Sequence, residues 1–320
     1  MDEDRPELAA LSSLTALGYA LRQPTLADAA AAAGLINACE IADYGEPDVT
    51  AEELRAEWAE TRLEDVRLVL ATGGNLAGLA AVNGSPERFN FDVYAHPELP
   101  DGNLFTALLK LCDELACCRL LQEPAAGETL AVTYIAHVNA RDRQALETTD
   151  FQAVRYHLRM QIDLAGPPAP VVWSEGFRLR TFVPGQDERS TYELVEAAFS
   201  RPGRTPRSLE DWSGFMLRAD HFRPDLWYLL FQEDELAGCA LCYDYSQYGW
   251  VRQLAVAEPH RRQGLGSMLL RHVFGEFYRR GRPRIALGVE ATNAHAYSLY
   301  EKVGMRRVRQ YDEYRKPLCC

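Results

Sequence analysis

The chain has no apolar run long enough to cross a bilayer, and its opening segment, Met1 to Ala20, starts with acids and lacks a basic leader, an adequate apolar core and a cleavage site. We therefore expect a soluble, cytoplasmic protein with no membrane partner. Basic residues are in deficit: 34 Lys and Arg against 46 Asp and Glu give a net charge of -12 and a pI near 5.1. That balance argues against nucleic acid as the main partner. Metal-ligand spacing is also missing. Eight cysteines include the neighbours Cys117-Cys118 and Cys319-Cys320. Cys239-x-x-Cys242 lies in an apolar run that reads as strand, where residues three apart point to opposite faces and cannot share one zinc. Reduced, mostly core cysteines and no metal are expected.

Two familiar phosphate motifs are absent as well. No Gly-Lys-Ser/Thr follows the glycines, which excludes the phosphate loop of ATPases, and no third glycine or strand-end acid completes a dinucleotide fingerprint. What is there is Arg261-Arg262-Gln263-Gly264-Leu265-Gly266, after the apolar run Val251 to Val256 and before the amphipathic segment Ser267 to Arg280. Strand, glycine loop and helix together make an anion-binding device. The helix start offers unpaired backbone N–H groups and the positive end of its dipole, and small residues let a phosphate approach the backbone. Seven arginines fall between Arg261 and Arg284, so an acidic chain carries one basic region. These features imply a pyrophosphate carrier.

A second strand follows, Ile285 to Glu290, and then a helix signal with Asn293 as N-cap and Gly304 as C-cap. Asn293 and Tyr300 are seven apart and lie close to one helix face. The order strand, R-R-Q-G-L-G, helix, strand, N-x-x-x-x-x-L-Y-x-x-x-G-M resembles the GNAT acetyltransferase superfamily. The resemblance implies acetyl-CoA as the pyrophosphate carrier. It implies that Leu254, Ala255 and Val256 lend backbone groups to the thioester and pantetheine, and that Arg261, Arg262, Gln263, Gly264, Leu265, Gly266 and Ser267 cradle the pyrophosphate. Asn293 belongs to the same cofactor-binding set. Tyr300 matches the residue that protonates the departing thiolate.

The same layout occurs earlier in the chain. Leu76-Ala77-Gly78-Leu79-Ala80 recurs as Leu236-Ala237-Gly238-Cys239-Ala240, Thr106 to Leu109 sits where Ser267 to Leu270 sits, and Asn139 with Asp150-Phe151 sits where Asn293 with Gly304-Met305 sits. In this alignment Arg261, Gly264 and Gly266 correspond to Pro100, Asn103 and Phe105, and Tyr300 to Leu146. A phenylalanine at the second glycine is expected to enter the ligand's space, and leucine cannot donate a proton. The first copy is expected not to catalyse. Ala165 to Pro170 is a proline-rich join. The resulting organisation is an extension over 1–18, a degenerate GNAT-like domain over 19–166, a linker over 167–175 and a catalytic domain over 176–320. The expected fold class is α/β: two tandem domains, each with a mostly antiparallel central sheet, flanking helices and a splayed central strand pair. A closing strand pair is expected between Met305 and Leu318.

The tandem arrangement and the element Val289-Glu290-Ala291-Thr292-Asn293 resemble the mycothiol synthase type most. The resemblance breaks where such proteins carry a glutamate at the start of the strand before the glycine loop, because this chain has Trp250. Glu290 is the first substitute for that base and Asp244 the second; Glu290 equally suits holding a nearby arginine. The expected reaction is acetyl transfer to the primary amine of a small molecule, by a monomer or homodimer. The segment Ser200 to Ser208 and the final strands are expected to recognise the amine. A non-catalytic acyl-CoA sensor and a protein-lysine acetyltransferase share the same motifs.

Overall fold

The computed structural model describes residues 9–99, 103–201, 206–217, 222–245 and 247–318. Pro100, Gly102, Cys319, Cys320 and part of the 200–208 segment lie outside them. The first repeat contains α1 (Ala9–Ala16), β1 (Ala20–Arg22), α2 (Ala29–Tyr44), α3 (Ala51–Ala59), β2 (Val66–Leu70), β3 (Leu76–Ser85), β4 (Arg88–Ala95), α4 (Asn103–Gln122), β5 (Leu130–Ala136), α5 (Ala140–Glu147) and β6 (Gln152–Asp163). The second contains β7 (Phe177–Thr181), α6 (Glu188–Ala198), α7 (Leu209–Leu217), β8 (Phe222–Gln232), β9 (Glu235–Asp244), β10 (Gly249–Val256), α8 (Leu265–Arg279), β11 (Arg284–Glu290), α9 (Ala294–Lys302) and β12 (Arg306–Pro317). No described helix is long and apolar enough to cross a membrane.

Local chemistry starts these helices where the sequence says it should. Thr50 Oγ1 accepts from the Glu53 N–H at 3.2 Å while Glu53 accepts from the Thr50 N–H at 3.0 Å, a reciprocal cap on α3. Ser208 Oγ accepts from the Asp211 N–H at 3.0 Å at the start of α7. Asn139 and Asn293 cap α5 and α9 in the same way, accepting from Asp142 N–H and Ala296 N–H at 3.0 and 3.1 Å. The ends also match: Asp150 and Gly304 are both left-handed, at φ 63° and 93°.

The chain divides into two compact units, one of residues 1–156 with 309–320, the other of 157–308. The first is a mixed α/β unit whose sheet runs β1-β2-β3-β4-β5-β12, and the second runs β7-β8-β9-β10-β11-β6. Within each, all pairings are antiparallel except β4 with β5 and β10 with β11. The last strand of each repeat thus serves the other unit's sheet. Residues Arg284 to Glu290 of β11 pair with Asp163 to His157 of β6, and Tyr311 to Pro317 of β12 pair with Ala136 to Leu130 of β5. The expected closing pair is one long strand instead, because β12 finds its partner in the first repeat.

The parallel pairs are short, and this opens the sheet. β10 and β11 pair only from Gly249 to Val251 against Ile285 to Leu287, although both strands continue further. β4 and β5 pair only from Arg88 to Phe91 against Leu130 to Thr133. A bulge in β10 between Val251 and Gln253 re-aims the strand just where its partner leaves.

Packing on the sheet repeats too. A Cβ on Gly78 of β3 would stand 2.9 Å from Leu108 Cδ1 of α4, and one on Gly238 of β9 would stand 3.2 Å from Leu269 Cδ1 of α8. Glycine lets the crossover helix sit directly on the strand in both copies. Phe105, however, points into the first unit's core with 2% exposure, not into ligand space.

Residues 164–175 have no regular structure, yet Leu164 and Trp173 pack on the second unit's core and a Cβ on Gly275 of α8 would stand 3.8 Å from Pro168 Cγ. Cys239 and Cys242 belong to clusters on opposite faces of β9, and burial pushes both thiols up. Cys117 departs from the expectation of reduced cysteines: it is disulfide-bonded, while Cys39, Cys112, Cys118, Cys239 and Cys242 are free.

Candidate active site

Beyond the bulge, successive residues of β10 turn their backbone groups alternately toward β9 and toward the gap left by β11. The Ala257 N–H bonds Ala237 on the β9 side at 2.9 Å, so Ala255 also faces β9, while Leu254 and Val256 face the gap. Their backbone groups have no strand partner there. The Val256 carbonyl on that side accepts from Arg261 Nε at 3.1 Å, which folds the arginine back along the strand.

A short turn, Glu258–His260, leads into the glycine loop, and Gln263 Nε2 donates to the Pro259 carbonyl at 3.1 Å to hold it. Arg262 and Gly264 adopt left-handed backbone at φ 62° and 83°. Glycine takes this conformation freely, whereas Arg262 pays about 1 kcal/mol. Gly264 is the N-cap of α8 and has no side chain to cap it. The first-turn N–H groups of Leu265, Gly266 and Ser267 are therefore open to a ligand, and the dipole of a 15-residue helix stands behind them.

A cavity of about 230 Å³ lies at this helix start. Of the expected site residues, Val256, Arg261, Arg262, Gly264, Leu265, Gly266 and Ser267 line it together. His260 from the turn and His295, Ser298 and Lys302 from α9 complete it, and sequence reading missed these four. The spacing 295, 298, 302 marks one helix face and was the available signal. Among the described residues, Arg262 and Lys302 form no ion pair. Backbone donors, unpaired cations and a loop without bulky side chains fit a pyrophosphate with a further phosphate nearby.

The other expected site residues lie elsewhere. Ala255 is buried among the side chains of α6 and α7. Asn293 is occupied as the cap of α9. Tyr300 is 8% exposed in the apolar cluster of α8, β10 and β11, and its hydroxyl makes no hydrogen bond among the described residues. Burial pushes its phenol up to about 12, so it stays protonated at neutral pH.

Glu290 accepts from Arg201 on one oxygen and from Thr292 Oγ1 at 3.2 Å on the other. Asp244 accepts from Arg282 Nε at 3.0 Å. Trp250 stands in an aromatic group with Tyr248 at 6.1 Å, and the Arg159 guanidinium lies 4.3 Å from the Tyr248 ring and 5.6 Å from that of Trp250. A buried arginine on two aromatic faces thus marks the region where the resemblance leads one to expect an acid.

The acetyltransferase (GNAT) family model matches residues 189–305. A mycothiol acetyltransferase of Streptomyces avermitilis is 30% identical over 279 residues, 81% of this chain and 82% of that protein. The match to one from Acidothermus cellulolyticus is 31% identical and spans about half of either protein, 49% of this chain and 53% of that one. Among solved structures, a GCN5-related N-acetyltransferase from Sphaerobacter thermophilus superposes with a TM-score of 0.84 at 35% identity, over 94% of this chain and 96% of that one. A tandem GNAT protein from the clavulanic acid biosynthesis pathway shares the fold, with a TM-score of 0.72 at 13% identity over 94% of this chain and 99% of that one. Motif order, fold and similarity over most of its length agree: the chain belongs to the acetyltransferase (GNAT) family.

Proposed function

We propose that the second unit transfers an acetyl group from acetyl-CoA to the primary amine of a small molecule. The observation that carries this reading is the cavity at the start of α8, where open first-turn N–H groups meet Arg261, Arg262 and Lys302 beside backbone freed by the splay of β10 from β11. In this reading the pyrophosphate sits on the α8 N-terminus and the pantetheine arm runs along Leu254 to Val256.

The amine lone pair adds to the thioester carbonyl, forming the C–N bond, and the resulting oxyanion is met by a backbone N–H in the splay. The C–S bond then breaks, and the thiolate takes its proton from Tyr300, which solvent reprotonates. The ammonium proton leaves toward Glu290. Glu290, ion-paired with Arg201, takes that proton through water. The first copy has Leu146 in place of Tyr300 and Asn103 in place of Gly264, so it supports the fold without turnover. Each chain holds its own donor site and works as a monomer or homodimer.

The relatives named mycothiol acetyltransferases nominate a mycothiol-type acceptor as the first to assay, beside a panel of small primary amines. Calorimetric titration of acetyl-CoA tests the donor half directly. One site per chain, absent in Gly264→Asp, supports the reading; two sites mean that the first copy also binds, and no binding removes the proposal.

A further inference from the structure

We infer that the first unit, although it lacks the tyrosine and the glycine loop, binds a compact organic ammonium that carries an acceptor oxygen, in the cavity bounded by α2, α3, β3 and β4. This goes beyond the acetyl-transfer reading and does not depend on it. The cavity measures about 200 Å³, room for a molecule of roughly ten non-hydrogen atoms.

Its wall is unevenly charged. Glu40, Asp48, Glu57 and Asp92 face it. Against them stands Arg309 of β12, which reaches Glu40 Oε2 at 2.5 Å and Asp48 Oδ2 at 3.3 Å. Asp92 has a neutral partner, accepting from Asn83 Nδ2 at 2.8 Å, and the carboxyl group of Glu57 at the rim has no hydrogen bond or ion pair among the described residues. Burial pushes Glu40 up to about 7 and raises Asp92 as well. Both are raised by loss of solvent, and a cation in the cavity would favour their charged forms.

The remaining wall says what kind of cation. No three acids or other ligand side chains among the described residues stand close enough to hold a metal ion. Trp58 and Tyr94 contribute aromatic surface, and aliphatic side chains from α3, β2 and β3 fill the floor. Such a wall suits an apolar body with an ammonium head. Trp58 is only 5% exposed, lines the cavity, and its indole N–H has no acceptor among the described residues. An indole N–H on the cavity wall without a protein acceptor can donate to an oxygen of the ligand.

Phenylethanolamine is a suitable probe, with phenylethylene glycol as the neutral match and phenethylamine as the match without the hydroxyl. The measurement uses full-length protein with isotope-labelled tryptophan; five indole signals are expected, and Trp58→Phe identifies one of them. The Trp58 signal should shift saturably with phenylethanolamine, and at least about tenfold more of either control should be needed. Asp92→Asn should weaken the amine's effect by a similar factor while leaving the other indole signals in place; if that variant fails to fold, Glu57→Gln at the rim replaces it. An unmoved Trp58 signal, an equal response to the glycol, or an unchanged response in the variant would overturn the inference. Shifts confined to Trp212, Trp227 or Trp250 would place amine binding in the second unit only, overturning this site while leaving the acetyl-transfer reading intact.

Discussion

Gly266, in the first turn of α8, lies directly against Leu299 of α9: a Cβ built there would stand 3.0 Å from Leu299 Cδ1. The aligned pair in the first repeat is Phe105 on α4 and Ala145 on α5, both in that unit's core. The larger side chain of the aligned pair is on α9 in the second repeat and on α4 in the first. The bulk sits on the opposite helix of the pair, which makes the difference between Gly266 and Phe105 a packing trade. Gly266→Phe should lower stability by about 1–3 kcal/mol, and adding Leu299→Ala should restore part of it. Urea denaturation of the single and double variants reads the coupling; strict additivity would refute the trade.

The Tyr300 hydroxyl has no hydrogen-bond partner among the described residues, so removing it should leave the packing alone. Tyr300→Phe should reduce kcat by a factor of about 10² to 10⁴ with little change in acetyl-CoA affinity. Since burial pushes its phenol up to about 12, Tyr300 remains a donor throughout the usual assay range. The pH profile of kcat should show no alkaline fall from this residue below pH values of about 10. An alkaline limb near neutrality that disappears in Tyr300→Phe would mean that the phenol is far more acidic than its surroundings dictate.

Gly264 has open space around it, with nothing within 4 Å of a built Cβ, but its φ is 83°. Alanine there is strained without clashing, at a cost of about 1–2 kcal/mol. Gly264→Ala should therefore lower stability while retaining part of the acetyl-CoA affinity, and Gly264→Asp should lose binding through charge. Equal loss in both variants would make backbone geometry the deciding factor. Asn103→Ala, at the matching place in the first repeat, should leave acetyl-CoA affinity unchanged.

Glu290, at the end of β11, is joined to Arg201 and Thr292. As the proposed acceptor of the amine proton, it should matter most when the amine is protonated. Glu290→Gln should lower kcat/KM by about tenfold at neutral pH, and the deficit should shrink as pH rises toward the amine's own pKa. A deficit constant across pH would assign Glu290 to holding Arg201 alone.

Asp28 accepts two hydrogen bonds from Arg22, at 2.6 and 2.8 Å, and one from the Thr25 N–H at 2.8 Å. The Arg22 guanidinium and the Thr25 amide hold its carboxyl well below the usual carboxylate range. A carboxyl depressed in the folded state stabilises above its unfolded pKa, and the contribution fades as pH falls through the folded value. Asp28→Asn should cost about 1 kcal/mol at neutral pH, a figure limited by the exposure of Arg22. Denaturation midpoints of the two proteins should converge in strong acid; a gap that persists there would exclude the ion pair as its cause.

The local sequence determined what a single turn can decide. The caps at Thr50, Ser208, Asn139 and Asn293, the left-handed ends at Asp150 and Gly304, and the glycine loop before α8 depend on neighbours a few residues away. Each was legible, as were the duplication and the missing tyrosine of the first copy. The tertiary structure decided which distant groups meet. Alternation along β6 and β12 marks them as strands but not whose sheet they enter, because a strand edge is specified by partners and burial far away in sequence. For the same reason Arg309 reaches Glu40 across 269 residues, Arg201 reaches Glu290 across 89, and α9 brings His295 and Lys302 to the cavity at the start of α8. The chemistry of the site was written in local motifs; its charge and its walls were assembled only when the sheets closed.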